Sequence, residues 1–314
     1  MYRPYYCRLS APGAKDVTIY GDGRLDALGL VGDGIVGWDS MPAVKVDVTA
    51  RGQGDGGHDI AEDGIMYASR TVTIHWQANA ADRDGVHTLT DMLRRFAHRL
   101  VRLQVCDAEQ YTYCDGGYLT LEQSSVYRHA ITEASTINIV FERPERLAVA
   151  PRIYQLLPLS DNGQGLYYSN RLTTWWEGEP NNSVSVLQDA PGPDGLAYPV
   201  SYGRTVGDGR NRAVLANKGT SRAYPVIEVS GSFPHGVDLQ YDTGARITYS
   251  QPLEWGGSLL LDTRSRTASI DGADVSRYLT GRGFETVPAA SSRSLVLNSK
   301  GDGLVTVTVH DTWI

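Results

Sequence analysis

From Asn217 to the terminal Ile314 the chain is a succession of short apolar-alternating runs, each closed within a few residues by a glycine-containing turn. Ala223-Tyr-Pro225-Val-Ile227-Glu-Val229-Ser-Gly231 alternates with period two, Thr243-Gly244 punctuates the next pair of runs, and Ile270-Asp-Gly-Ala273 has the form of a two-residue hairpin turn. The segment closes on Val305-Thr-Val-Thr-Val309-His-Asp-Thr-Trp313, which the alternation predicts as a single strand. A helix cannot be wound through turns this frequent, so strands at roughly 8–12-residue spacing packed as a sandwich are expected.

The rest of the chain admits the same class. Among its 314 residues are 34 Gly and 18 Tyr against only 4 Phe, a usage suited to short strands, tight turns and amphipathic contact surfaces. Hydrophobic residues make up 41% of the chain, enough for two cores. A formal net charge of -7 argues against nucleic acid or an anionic membrane as the main partner. The opening Met1-Tyr-Arg-Pro-Tyr-Tyr-Cys7 lacks a signal-like apolar core, and no apolar run approaches the ~18 residues of a membrane span. A soluble protein made in a cytoplasm is expected. Its three cysteines, Cys7, Cys106 and Cys114, are expected to be ordinary thiols, since their number is odd and no C-x-x-C pair is present.

In the first half, Val44, Val46 and Val48 alternate with polar residues and predict a half-buried strand. Val72, Ile74 and Trp76 predict a second, and glycine-rich Arg51-Gly-Gln-Gly-Asp-Gly-Gly57 between them suggests a hairpin with a long tip. Val86, Leu89, Leu93, Phe96 and Leu100 fall at helical spacing, with Asp82 or Asp84 to cap the amino end. Strands are expected again at Leu103–Val105, Tyr118–Val126 and Thr136–Glu142. Two prolines between Arg143 and Arg152 then break the pattern. They divide the chain into an expected domain at 1–148 and a second at 149–314, the latter with an irregular insertion at about 160–197.

No catalytic constellation emerges. The Gly and Asp clusters match neither a calcium loop nor a phosphate loop and are expected to be turns. The seven histidines are scattered without an H-E-x-x-H pair, and no G-x-S-x-G is present, so neither a metal site nor a nucleophile is expected. Glu177 and Glu179 are adjacent loop carboxylates whose spacing cannot place them across a glycosidic bond. Their neighbours Trp175 and Trp176 are candidates for an interface or for stacking on a glycan. Arg94, Arg95, Arg99 and Arg102 are expected to pair with carboxylates rather than bind phosphate.

Tyr198-Pro199-Val200, Asn217-Lys-Gly219 leading to Gly231, Thr243-Gly244, Asp262-Thr-Arg-Ser-Arg266 through Gly272, and Val305–Val309 occur in an order that resembles the C-terminal half of siphophage distal tail proteins. The first half is similar more faintly, through Arg51–Gly56, Tyr67–Ile74, the helix and Ile137–Phe141. Two departures are Pro288-Ala289, where such proteins often carry Pro-Gly, and Arg143-Pro144, where they often carry Asp-Pro.

The resemblance implies a mainly β protein: an N-terminal β-sandwich with one α-helix and a long hairpin, and a C-terminal galectin-like β-sandwich. It further implies a non-enzymatic hub, without cofactor, in the tail tip of a virion. Such a hub would form a homohexameric ring between the tail tube protein and the baseplate, tail-associated or receptor-binding proteins, with DNA passing transiently through its lumen. The alternative is a carbohydrate-binding adhesion module acting through Trp175 and Trp176.

Overall fold

The computed structural model describes residues 5–22, 26–46, 49–53, 55, 65–108, 110–122, 132–158 and 211–314. The chain is mainly β and divides into two compact units. The first comprises Met1–Pro151 with Asn217–Ala223 and His310–Ile314; the second comprises Arg152–Ala216 with Tyr224–Val309.

The first unit is built from β1 (Tyr5–Ser10), β2 (Val17–Tyr20), β3 (Ala27–Val36), β4 (Arg70–Asn79), α1 (Arg83–Arg94), β5 (Val101–Asp107), β6 (Gln110–Leu121), β7 (Thr132–Phe141) and β8 (Arg146–Ala148). Neighbours run β5-β1-β2-β3-β4-β7, and β6 pairs with both β5 and β7, so the strands close on themselves. The change of partner falls at Gly116-Gly117, where Gly116 has φ 74° and a Cβ on Gly117 would stand 2.5 Å from the Phe141 ring. A side chain at Gly117 would push β6 off β7. Alternation along β4 buries Val72, Ile74 and Trp76 as its periodicity predicts, together with Ile137, Ile139 and Phe141 of β7.

Helix α1 begins where expected. Asp82 caps it, its Oδ1 accepting from the Gly85 N–H at 2.8 Å, and Val86, Leu93 and Phe96 are buried. The expected stripe outruns the helix: α1 ends at Arg94, so Phe96 and Leu100 lie beyond it, and Leu100 is 64% exposed.

The expected strand at Val44, Val46 and Val48 is also corrected. Val44 forms a single antiparallel bridge with Tyr67, flanked by Lys45 N–H to Met66 O at 2.7 Å and Ala68 N–H to Ala43 O at 2.8 Å. Val44 is exposed rather than half-buried, because no described residue of its own unit covers that face. Val48, and Gly54, Gly56 and Gly57 of the glycine-rich tip, lie outside the described residues.

Among its described residues the second unit contains two sheets. One is ordered β10-β18-β12-β13-β17, from β10 (Arg212–Asn217), β12 (Val237–Tyr241), β13 (Arg246–Tyr249), β17 (Leu279–Arg282) and β18 (Ser291–Leu297). The other is ordered β16-β15-β14-β11-β19-β9, from β9 (Arg152–Leu156), β11 (Val226–Ser232), β14 (Ser258–Asp262), β15 (Thr267–Ile270), β16 (Ala273–Asp274) and β19 (Asp302–Val309). Leu239, Tyr241, Ile247, Leu295 and Leu297 are buried in the first, and Ile227, Val229, Leu259, Leu261, Val305 and Val307 in the second. Alternate burial in both is the pattern of two sheets packed face to face.

Turn chemistry follows the sequence closely here. Ile270 and Ala273 pair across Asp271 (φ 49°) and Gly272 (φ 81°), a turn with both central residues left-handed. Next to Pro288-Ala289 the left-handed position falls on Ala290 (φ 47°), so an alanine bears a strain a glycine would avoid.

The closing run is two strands rather than one. β19 ends at Val309, and β20 (Thr312–Trp313) pairs with β8 in the sheet of the first unit. His310 marks the change: its Nδ1 lies 2.7 Å from the Ala148 carbonyl oxygen and its ring stands edge-on to Tyr113.

Candidate functional site

Among the described residues, two surfaces combine exposed apolar side chains with a rigidly held backbone. The first is the pair of extended segments around the Val44–Tyr67 bridge, where Met41 is 60%, Val44 55% and Met66 60% exposed. Its base is anchored by Arg70, itself buried in the first unit. The Arg70 guanidinium donates to the carbonyls of Gly37 at 2.9 Å, Trp38 at 2.7 Å and Ser40 at 2.8 Å, and its Nε donates to Pro144 O at 2.7 Å. Burial pulls the Arg70 pKa downward. Arg146 reinforces the same corner by pairing with Asp39 and lying over the Trp38 ring. Gly37, with φ 84°, passes so close to the Thr71 carbonyl that a Cβ would overlap it. The other segment is held by Arg222, which donates to Ile65 O at 3.0 Å.

The second surface is an open cleft of about 500 Å³ in the second unit, walled by Trp255 and floored by the adjoining ends of β11, β14 and β19. Trp255 is 69% exposed. Sequence reasoning passed it over; the only local signal is an aromatic residue followed by two glycines between strands, which is also the form of an ordinary turn.

Trp175, Trp176, Glu177 and Glu179 lie outside the described residues. Three of the four arginines singled out near the end of the helix are engaged: Arg94 pairs with Asp91 at 2.8 Å, Arg99 donates to Pro12 O, and Arg102 pairs with Asp115 at 2.6 Å while covering the Tyr113 ring. None of the three cysteines is in a disulfide, and all are buried. Burial pushes the Cys7 and Cys114 thiols up to about 12. Among the described residues no group of three or more His, Cys, Asp or Glu is placed to hold a metal ion. Among the same residues no helix is long and apolar enough to cross a membrane.

No family model and no curated protein matches the chain. Solved structures do. The Dit protein (gp 19.1) of phage SPP1, described as a paradigm of the hub adsorption apparatus in phages infecting Gram-positive hosts, aligns with a TM-score of 0.55 at 10% identity, over 98% of this chain and 99% of that one. A chain of the phage P2 baseplate, in its activated conformation with calcium, aligns with a TM-score of 0.51 at 11% identity, over 99% of this chain and 98% of that one. A strontium form of the p2 baseplate gives 0.51 at 10% identity, covering 98% of each chain. Coverage of 98–99% in both directions shows that this chain shares their fold.

Proposed function

We propose that the chain is the distal tail hub of a long-tailed phage, assembling as a homohexameric ring that joins the tail tube to the baseplate or receptor-binding proteins. The reading rests on the fold shared with phage hub and baseplate proteins. The observation that carries assembly is the exposure of Met41, Val44 and Met66 on the paired segments whose base Arg70 clamps.

Three large apolar side chains in water are a liability that a neighbouring copy removes. Each contributes about 1.5–3 kcal/mol when fully buried, before the entropy of association is subtracted. A patch that meets a different surface on the next copy is a heterologous contact, and such contacts close into rings when the rotation per copy divides the circle. The protein would then act by geometry, as a channel and adaptor, and require neither a cofactor nor a catalytic residue. Tail tube, baseplate and receptor-binding proteins would share its faces, and DNA would cross its lumen.

Light scattering and negative-stain imaging of the purified chain are expected to show a six-fold ring. The triple variant Met41→Asp, Val44→Asp, Met66→Asp is expected to run as a folded monomer, because charge cannot be buried there without a partner. A parent that stays monomeric at every concentration sinks the ring. A triple variant that still forms rings sinks the role of this surface.

A further inference from the structure

We infer that the Trp255 cleft of the second unit is a binding subsite for a neutral saccharide chain. This goes beyond ring assembly and stands on separate observations.

The cleft is built at the end of three paired strands. Ser230 of β11 stands opposite Ser258 of β14 on one side and Leu304 of β19 on the other, and Gly231 stands opposite Gly303. Trp255 rises beside them on the turn that precedes β14. That turn is not loose. Its base is tied by a reciprocal pair of backbone hydrogen bonds, Phe233 N–H to Leu253 O at 2.8 Å and Leu253 N–H to Phe233 O at 3.0 Å, and both side chains are buried. Gly257 N–H closes back onto Glu254 O at 3.3 Å, with Gly256 at φ 94°. The indole is therefore carried on a fixed backbone while its own surface faces water, a configuration that ligand contact rewards and folding does not.

The remaining lining selects the ligand. Gly231, Gly256, Gly257 and Gly303 make up four of the nine lining residues, so much of the floor is backbone, flat enough for a chain to lie along. Gly231 and Gly303 are required by packing, since a Cβ on Gly231 would stand 2.5 Å from Gly303 Cα. Between glycines and indole are hydroxyls and one carboxylate, from Ser230, Ser258 and Asp302, and no cation. Ser258 donates its own proton to Glu228 at 2.8 Å, which leaves its oxygen lone pairs as acceptors.

An apolar ring face bordered by acceptors matches a sugar, whose C–H face stacks while its hydroxyls donate. With one carboxylate and no cation among its lining residues, the cleft disfavours phosphate-bearing polymers. A purely apolar peptide would leave the serines and Asp302 desolvated without partners. The volume lies within the ~300–1,000 Å³ usual for ligand sites, and the open form suits a few residues of a longer chain.

The test uses the full chain, with calorimetry and saturation-transfer NMR against N-acetylchitotetraose, cellotetraose and maltotetraose, and a glycerol-phosphate oligomer as the anionic arm. At least one neutral tetrasaccharide is expected to bind saturably, at the weak affinities of an open site. Trp255→Ala is expected to weaken it about tenfold or more, the scale of one lost stacking contact, whereas Trp255→Tyr keeps most of the binding. Because Trp255 is exposed, Trp255→Ala is expected to leave the melting curve and the oligomeric state unchanged, which separates this site from ring assembly. Absence of binding by all three neutral probes overturns the proposal, as does unchanged binding in Trp255→Ala or binding of the anionic oligomer alone.

Discussion

The side-chain oxygen of Asn217 accepts a hydrogen bond from the backbone N–H of Thr312 at 3.2 Å, across a separation of 95 residues. The same oxygen takes the Gly219 N–H at 3.0 Å, and the Asn217 amide donates to Ser221 O at 2.7 Å. Asn217 and Thr312 are both buried, so these groups have no water to fall back on. The N-x-G motif thus has two separate causes. Asn217 satisfies three backbone groups at once, and Gly219 passes so close to the Thr312 carbonyl that any Cβ would collide with it.

Asn217→Ala is expected to destabilise the first unit by about 2–3 kcal/mol, since it strands buried donors on Gly219 and Thr312. The corresponding fall in Tm is roughly 5–10 °C, measurable by calorimetry. Gly219→Ala is expected to cost at least as much, because the obstacle is backbone rather than a movable side chain. A Tm within a degree of the parent for both would show that the C-terminal strand does not depend on this contact.

Arg70 makes a sharper case. Its charge is buried among four carbonyls, and no compact ammonium can reach Pro144 O and the Gly37–Ser40 carbonyls together. Arg70→Lys and Arg70→Met are both expected to destabilise the first unit by about 3–5 kcal/mol. Lysine should fail to rescue, and the Met41/Val44 segment should gain protease sensitivity before the rest of the unit. Retention of parental stability by Arg70→Lys, read from chemical denaturation, would refute the fork geometry as the reason for arginine here.

Alkaline pH tests the buried thiols. Cys7 and Cys114 hold their protons to about 12 in the folded state, against an ordinary thiol value near 9.0. Above that ordinary value the unfolded chain releases protons that the folded chain keeps. The stabilisation is therefore complete below about pH 9 and declines as pH rises towards 12. Thermal melts from pH 7 to 11 are expected to show Tm falling above about pH 9, while a thiol reagent at pH 8 labels neither residue until the protein unfolds. Rapid native-state labelling of Cys7 or Cys114 would contradict their burial.

Local features were legible where a short stretch of sequence carries its own physical cause. Asp82 caps α1 because a carboxylate before a helical stripe can accept only from the first turn. Asp271-Gly272 makes the left-handed turn because few other pairs tolerate it. Val72, Ile74 and Trp76 share a buried face because a strand has period two. The same periodicity misplaced Val44, since alternation shows which residues share a face but not whether anything covers it. It also ran Val305 to Trp313 as one strand, because nothing in the alternation distinguishes Val309 from Trp313.

The sequence alone determined the β class, the helix and its cap, most turns and the order of elements that carries the resemblance to tail proteins. Each of these depends on contacts within about ten residues. Tertiary structure alone decided that β6 changes partner at Gly117, that Arg70 gathers carbonyls from two distant segments, and that the last strand returns to the first unit's sheet. It also decided that Trp255 stands over a cleft. Those outcomes depend on partners far apart in the chain, and a pairing of that kind leaves no local pattern: only the packed backbone shows which carbonyl a glycine must clear and which face is left in water.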